Sequence, residues 1–153
     1  MEKINKNRNK EKITPIYSLA DKVEYLSYLT DNEKNALIEL KEKITEKYPG
    51  TKIILYGSKA RGDYDENSDI DILIVINDNY NIDKDISFKE LEERYFLPVD
   101  KKIEEEISNI LVDIQIKHCL SIDYQIKNKS YVETNLAGVV TLYKNIEKEG
   151  VKL

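Results

Sequence analysis

Residues 55–76 read LYGSKARGDYDENSDIDILIVI, and two aspartates stand at the head of what is otherwise a run of isoleucine, leucine and valine. Side chains two apart on a strand leave the same face, so Asp69 and Asp71 point together while Ile70 and Ile72 turn to the other side. Two carboxylates that close repel each other, and burying either is costly without a compensating cation. A divalent ion resolves the conflict, because Mg²⁺ takes one or two carboxylates and fills its shell with water and substrate phosphates. On these residues alone the competing reading stays open, in which Asp-x-Asp only solubilises an exposed strand end.

The residues upstream favour a phosphate. Lys52 to Tyr56 (KIILY) is a short β-branched run, and Gly57-Ser58 follows at once. A glycine after a strand lets backbone N–H groups approach an anion closely, and the Ser58 hydroxyl is a further donor. Gly62 is a second turn glycine, and Lys59 and Arg61 put positive charge beside the proposed phosphate tail, with ordinary loop solubility as their alternative. Neither G-x-x-x-x-G-K-[ST] nor G-x-G-x-x-G occurs, so a nucleoside-triphosphatase P-loop and a dinucleotide fingerprint are both excluded.

Outward from this stretch, Thr14-Pro15 followed by Ile16, Leu19, Val23 and Leu26 predicts a short helix ending near Leu29. Thr30 and Glu33 form a capping-box pattern, and Leu37, Leu40, Ile44 and Tyr48 give a second helix its apolar stripe until Pro49-Gly50. Ile86 to Asn109 reads as charged and helical, interrupted at Pro98. Leu111 to Lys117 (LVDIQIK) alternates and predicts a third strand, with Val112, Ile114 and Ile116 on one face and Asp113 on the other. Beside the Asp69/Asp71 strand, Asp113 would be the third carboxylate. Ser121 to Ser130 reads as a polar connection or short helix, and Tyr131 to Ile146 as a last helix carrying Leu136, Val139, Val140 and Tyr143.

The chain has 153 residues, a formal charge of −5, 41% apolar and 35% charged residues, which fits one folded domain over 14–153. The first twelve residues, with five Lys/Arg against two Glu, read as a flexible basic tail covering 1–13. An acidic balance argues against duplex nucleic acid as a partner. No signal peptide or membrane span is legible, and Cys119 is the only cysteine, so a cytoplasmic location is expected. His118 beside Cys119 lacks further ligands at metal spacing and reads as packing or a loop hydrogen bond. Tyr48 and Tyr56 read as core, and Tyr64 as loop packing.

Taken together, Gly57-Ser58 followed by Ser68-Asp69-Ile70-Asp71 resembles the hallmark of nucleotidyltransferases built on the DNA polymerase beta palm. The run is similar to that of their small members, the minimal nucleotidyltransferases. The resemblance implies an α+β (mixed α/β) fold, a small mixed sheet with helices packed on it. It implies that the Gly57-Ser58 turn contacts the triphosphate, with Ser68 of the motif as a further nucleotide-site candidate beside Lys59 and Arg61, which their charge alone nominates. Asp69 and Asp71 would carry Mg²⁺, with Asp113 completing the metal and catalytic set. It further implies transfer of AMP from ATP to a tyrosine of a HEPN-type RNase toxin, the chain being the antitoxin of a toxin-antitoxin pair. The alternatives are a small-molecule, aminoglycoside-like adenylyltransferase and an antitoxin that acts by binding alone. Homo- or hetero-oligomeric assembly is left open.

Overall fold

The structure, a computed structural model, describes residues 29–65, 67–78, 85–87, 89–90, 99–133 and 141–153. The basic tail, the helix expected after Thr14-Pro15, and Leu136, Val139 and Val140 lie outside those residues. Among the described residues no helix is long and apolar enough to cross a membrane.

Helix α1 (Asp31–Lys47) starts where the capping pattern places it. The Glu33 N–H donates to Thr30 Oγ1 (3.1 Å) and the Thr30 N–H donates to Glu33 Oε1 (3.0 Å), which satisfies two donors that a helix start leaves open. Ala36, Leu37, Leu40 and Ile44 form its buried stripe. Strand β1 (Lys52–Tyr56) follows, then the single turn α2 (Ser58–Arg61) and strand β2 (Ile70–Ile76), antiparallel to β1.

The segment expected to be a third strand is instead the second half of a long helix, α3 (Lys101–His118). Asp100 caps it, its carboxylate accepting from the N–H groups of Lys102 (2.9 Å) and Ile103 (3.3 Å). Ile103, Ile107, Leu111 and Ile114 then recur at four, four and three, one helical face that packs toward α1 and the sheet. In the apparent alternation only Ile114 is buried, whereas Val112 and Ile116 are 47% and 72% exposed. Three residues spaced by two were the chance overlap of a helical stripe with its solvent side.

The third strand, β3 (Ile122–Asn128), lies where a polar connection was expected. It pairs parallel with β2 along its whole length, from Ile70↔Ile122 to Ile76↔Asn128. Helix α3 is thus part of the crossover that a parallel pair requires. The single turn α4 (Lys129–Val132), helix α5 (Thr141–Glu149) and strand β4 (Val151–Lys152) close the chain, with β4 antiparallel to β1. Sheet order is β3-β2-β1-β4.

Period two divides the sheet's side chains between two cores. Ile53, Leu55, Ile70, Ile72, Ile74 and Ile76 pack under α1 and α3. Ile54, Tyr56, Leu73 and Val75 face the other way, against Val132, Tyr143 and Ile146. β2 is apolar on both faces because both are covered, save at its first outward position, Asp71.

Candidate active site

The polar end of the second face is where the carboxylates gather. Asp71 is opposite Tyr56 on β1 and opposite Asp123 on β3, so the three share one face in a row across the sheet. Asp69, two residues before Asp71, is exposed just ahead of the strand. Burial, then the charges of Asp123 and Asp69, hold the Asp71 carboxyl above the ordinary 3.8, against the opposing pull of Arg61. Tyr56 is pushed up to about 12 by burial and by the charges of Asp71 and Asp123.

The glycine turn sits against the same carboxylate. Gly57 has φ 73, the left-handed region that favours glycine. A Cβ there would collide with Asp71 Oδ2 and stand 3.2 Å from its Cγ. Gly57 therefore answers two demands, a positive φ and the absence of a side chain where Asp71 presses on the turn. Asp71 thus lies against the Gly57 turn.

Of three other residues expected at the turn, Lys59 and Ser68 are engaged elsewhere, and Arg61 stays there but is already paired. Lys59 Nζ pairs with Glu33 Oε2 at 2.9 Å, both side chains under 10% exposed, and lies 3.7 Å from the centroid of the Tyr64 ring. Burial would raise the Glu33 carboxyl, but its hydrogen bonds to Lys59 and the Thr30 cap hold it below its ordinary range. Lys59 thus fastens α2 to α1 rather than reaching toward a phosphate. Ser68 Oγ accepts from the Asp65 N–H (3.0 Å) and donates to Asp65 Oδ1 (3.3 Å), closing the turn before β2. Arg61 keeps its guanidinium at the turn, but it donates to Asp63 and Glu149.

Asp113 is not at the site. It lies exposed on α3, and the strand placement that recommended it does not exist. The third carboxylate beside Asp71 is Asp123, which sequence reasoning passed over because IDYQIKN is polar for a strand. The signal was there in the alternation of Ile122, Tyr124 and Ile126 around it. His118 is a bracket between helices, with Nδ1 3.0 Å from Asn32 Oδ1 and Nε2 2.8 Å from Glu39 Oε2. Among the described residues, no three carboxylate, imidazole or thiol groups enclose a metal position by themselves.

A mixed sheet with helices on both faces, carrying a Gly-Ser turn against an aspartate row, is the palm-like architecture of a nucleotidyltransferase. The nucleotidyltransferase domain family matches residues 37–152, and the chain belongs to that family. Among named relatives, "Putative protein adenylyltransferase MJ0604" of Methanocaldococcus jannaschii is 59% identical over 46 residues, 29% of this chain and 46% of that protein. "Putative protein adenylyltransferase MJ0141" of the same organism is 32% identical over 78 residues, 51% of this chain and 73% of that protein. The chain thus spans about half the length of the first relative and about three quarters of the second. A crystal structure titled as a putative nucleotidyltransferase from Sulfolobus solfataricus aligns with 81% of this chain and 86% of its own, at 19% identity and a TM-score of 0.38.

Proposed function

We propose that the chain is a Mg²⁺-dependent adenylyltransferase that moves AMP from ATP onto a tyrosine hydroxyl of a HEPN-type RNase toxin in the cytoplasm, silencing it as an antitoxin. The observation that carries this reading is the contact of Asp71 with the Gly57 turn, flanked by Asp69 and by Asp123 on the neighbouring parallel strand. A protein as acceptor follows the names of the two relatives. The HEPN partner follows the resemblance to minimal nucleotidyltransferases.

The donor set fits a hard cation that keeps most of its shell for water and phosphate, since Asp69, Asp71 and Asp123 offer only carboxylate oxygens and do not close a cage. Asp69 and Asp71 would hold the ion, which when bound neutralises charge on the triphosphate and lowers the barrier at the α-phosphorus. The Gly57 N–H and the Ser58 hydroxyl would orient the phosphate tail. Asp123 takes the place expected of Asp113, accepting the proton of the attacking hydroxyl. That oxygen bonds to the α-phosphorus, the bond to the β-phosphate oxygen breaks, and pyrophosphate leaves.

The test is intact-mass analysis of a candidate toxin after incubation with this chain, Mg²⁺ and each nucleoside triphosphate. A gain of one AMP from ATP, abolished by EDTA, is expected. Nucleotide found on a small molecule, or silencing that survives loss of both Asp69 and Asp71, would refute it in favour of the two alternatives.

A further inference from the structure

Glu149, the last residue of α5, brings a fourth carboxylate to the turn. Its Oε1 accepts from the Gly57 N–H (3.2 Å) and from Arg61 Nη1 (2.9 Å), and its Oε2 accepts from the same Nη1 (3.0 Å). The chain delivers it from both sides. Tyr143 and Ile146 of α5 are buried in the second core, and Val151 pairs with Leu55 of β1. Gly150 lets the chain turn from α5 into β4 close to β1, since a Cβ there would collide with the Ile146 carbonyl oxygen and stand 2.8 Å from Ile54 Cγ2.

This is an unfavourable neighbourhood for a carboxylate. Asp71, Asp69 and Asp123 already crowd one another, and the charge of Glu149 adds to the burial and neighbouring charges that raise the Asp71 carboxyl. What draws Glu149 in is a backbone N–H and a guanidinium aimed at one point, the donors that an anionic oxygen of any origin selects. Under the proposed function, that point belongs to the triphosphate.

We propose that Glu149 is an internal occupant of the phosphate seat, which an incoming triphosphate displaces, so that the last turn of α5 competes with the nucleotide. This rests on the nucleotide reading of the Gly57-Ser58 turn. Release needs only a rotation of the Glu149 side chain, with α5 and β4 left in place. The contact also favours ligands that arrive with more negative charge and a cation of their own, because a neutral or singly charged ligand cannot outbid the carboxylate for Arg61.

Titration calorimetry with magnesium tripolyphosphate, magnesium ATP and adenosine tests this on the wild type, Glu149→Gln and Glu149→Ala, with thermal unfolding to confirm that each is folded. Both variants are expected to bind the two phosphate ligands roughly three- to tenfold more tightly than the wild type, with adenosine unaffected. Equal or weaker binding by the folded variants would overturn the proposal and make Glu149 a positioning residue for Arg61. Failure of all three proteins to bind either phosphate ligand would instead remove the nucleotide reading beneath it. In the wild type, the Gly57 amide resonance should move on adding tripolyphosphate, and should move in Glu149→Gln without it. An amide insensitive to both would also overturn the proposal.

Discussion

Asp71 and Asp123 are register partners on adjacent parallel strands, one step inside the ends at which β2 and β3 begin. Facing side chains on neighbouring strands stand about 5 Å apart, close enough for two carboxylates to share an ion and, without one, to repel. Replacing either by Asn should lower nucleotidyl transfer at least ~10²-fold with partner binding intact, whereas Asp113→Asn should leave transfer unchanged. Single-turnover labelling of the acceptor, with pull-down of the complex, checks both. An active Asp123→Asn together with an inactive Asp113→Asn would reverse the assignment.

The burial of Asp71, together with the repulsion of Asp123 and Asp69, gives a stability prediction. The folded-state pKa of Asp71 is raised, so its contribution to stability is full below the ordinary 3.8 and is lost as pH rises through the higher folded value. At neutral pH without metal, Asp71 therefore weakens the fold. Asp71→Asn should raise the unfolding midpoint at pH 7 and reduce the stability lost as pH rises from 3.8 to neutral. A lower midpoint at pH 7 would contradict this.

Lys59 and Glu33 form a buried pair, and removing one partner leaves the other charge uncompensated. Lys59→Ala is expected to cost about 3 kcal/mol in denaturant unfolding. The pair of substitutions Lys59→Met and Glu33→Leu should recover much of that loss, less what the broken capping box removes, about 1 kcal/mol. If the folded double variant keeps its affinity for magnesium ATP, Lys59 is a fastener of α2. A large loss of affinity would return it to the phosphate site.

Gly57→Ala tests the turn. It imposes a side chain at φ 73 and drives Cβ into the Asp71 carboxylate. We expect destabilisation of about 1–3 kcal/mol and loss of transfer, measured by urea unfolding and labelling. Near-normal activity would show that Asp71 does not need its place against the turn.

Midway along α1, the hydrogen bond from His118, followed by those from Lys117 and Lys43, lowers Glu39 from the ordinary 4.5 to about 2. A depressed carboxyl contributes stability above its unfolded value and loses it as pH falls through the folded one, so this contribution fades from about pH 4.5 to about 2. Glu39→Gln should flatten that part of the acid-unfolding profile. An unchanged slope would mean that the cluster does not couple to unfolding.

What could be read from the sequence was whatever neighbouring residues impose on one another. Thr30 and Glu33 cap a helix within one turn, KIILY and IDILIVI declare themselves by β-branching, and Gly57-Ser58 with Asp69 and Asp71 marks the candidate site within fifteen residues of chain. The tertiary structure alone decided the third carboxylate, the use of Lys59 and the role of the C-terminus. IDYQIKN becomes a strand because β2 offers it a free edge and backbone hydrogen bonds, which overrides its polar composition and brings Asp123 fifty-two positions back to Asp71. LVDIQIK stays helical because a helix already begun at Asp100 can bury Leu111 and Ile114 against a neighbour, and the local alternation cannot offset that. Lys59 and Glu149 look like ordinary surface charges in a chain that is 35% charged. Only the packing of α2 on α1 and of α5 along β1 determines which opposite charge each one meets.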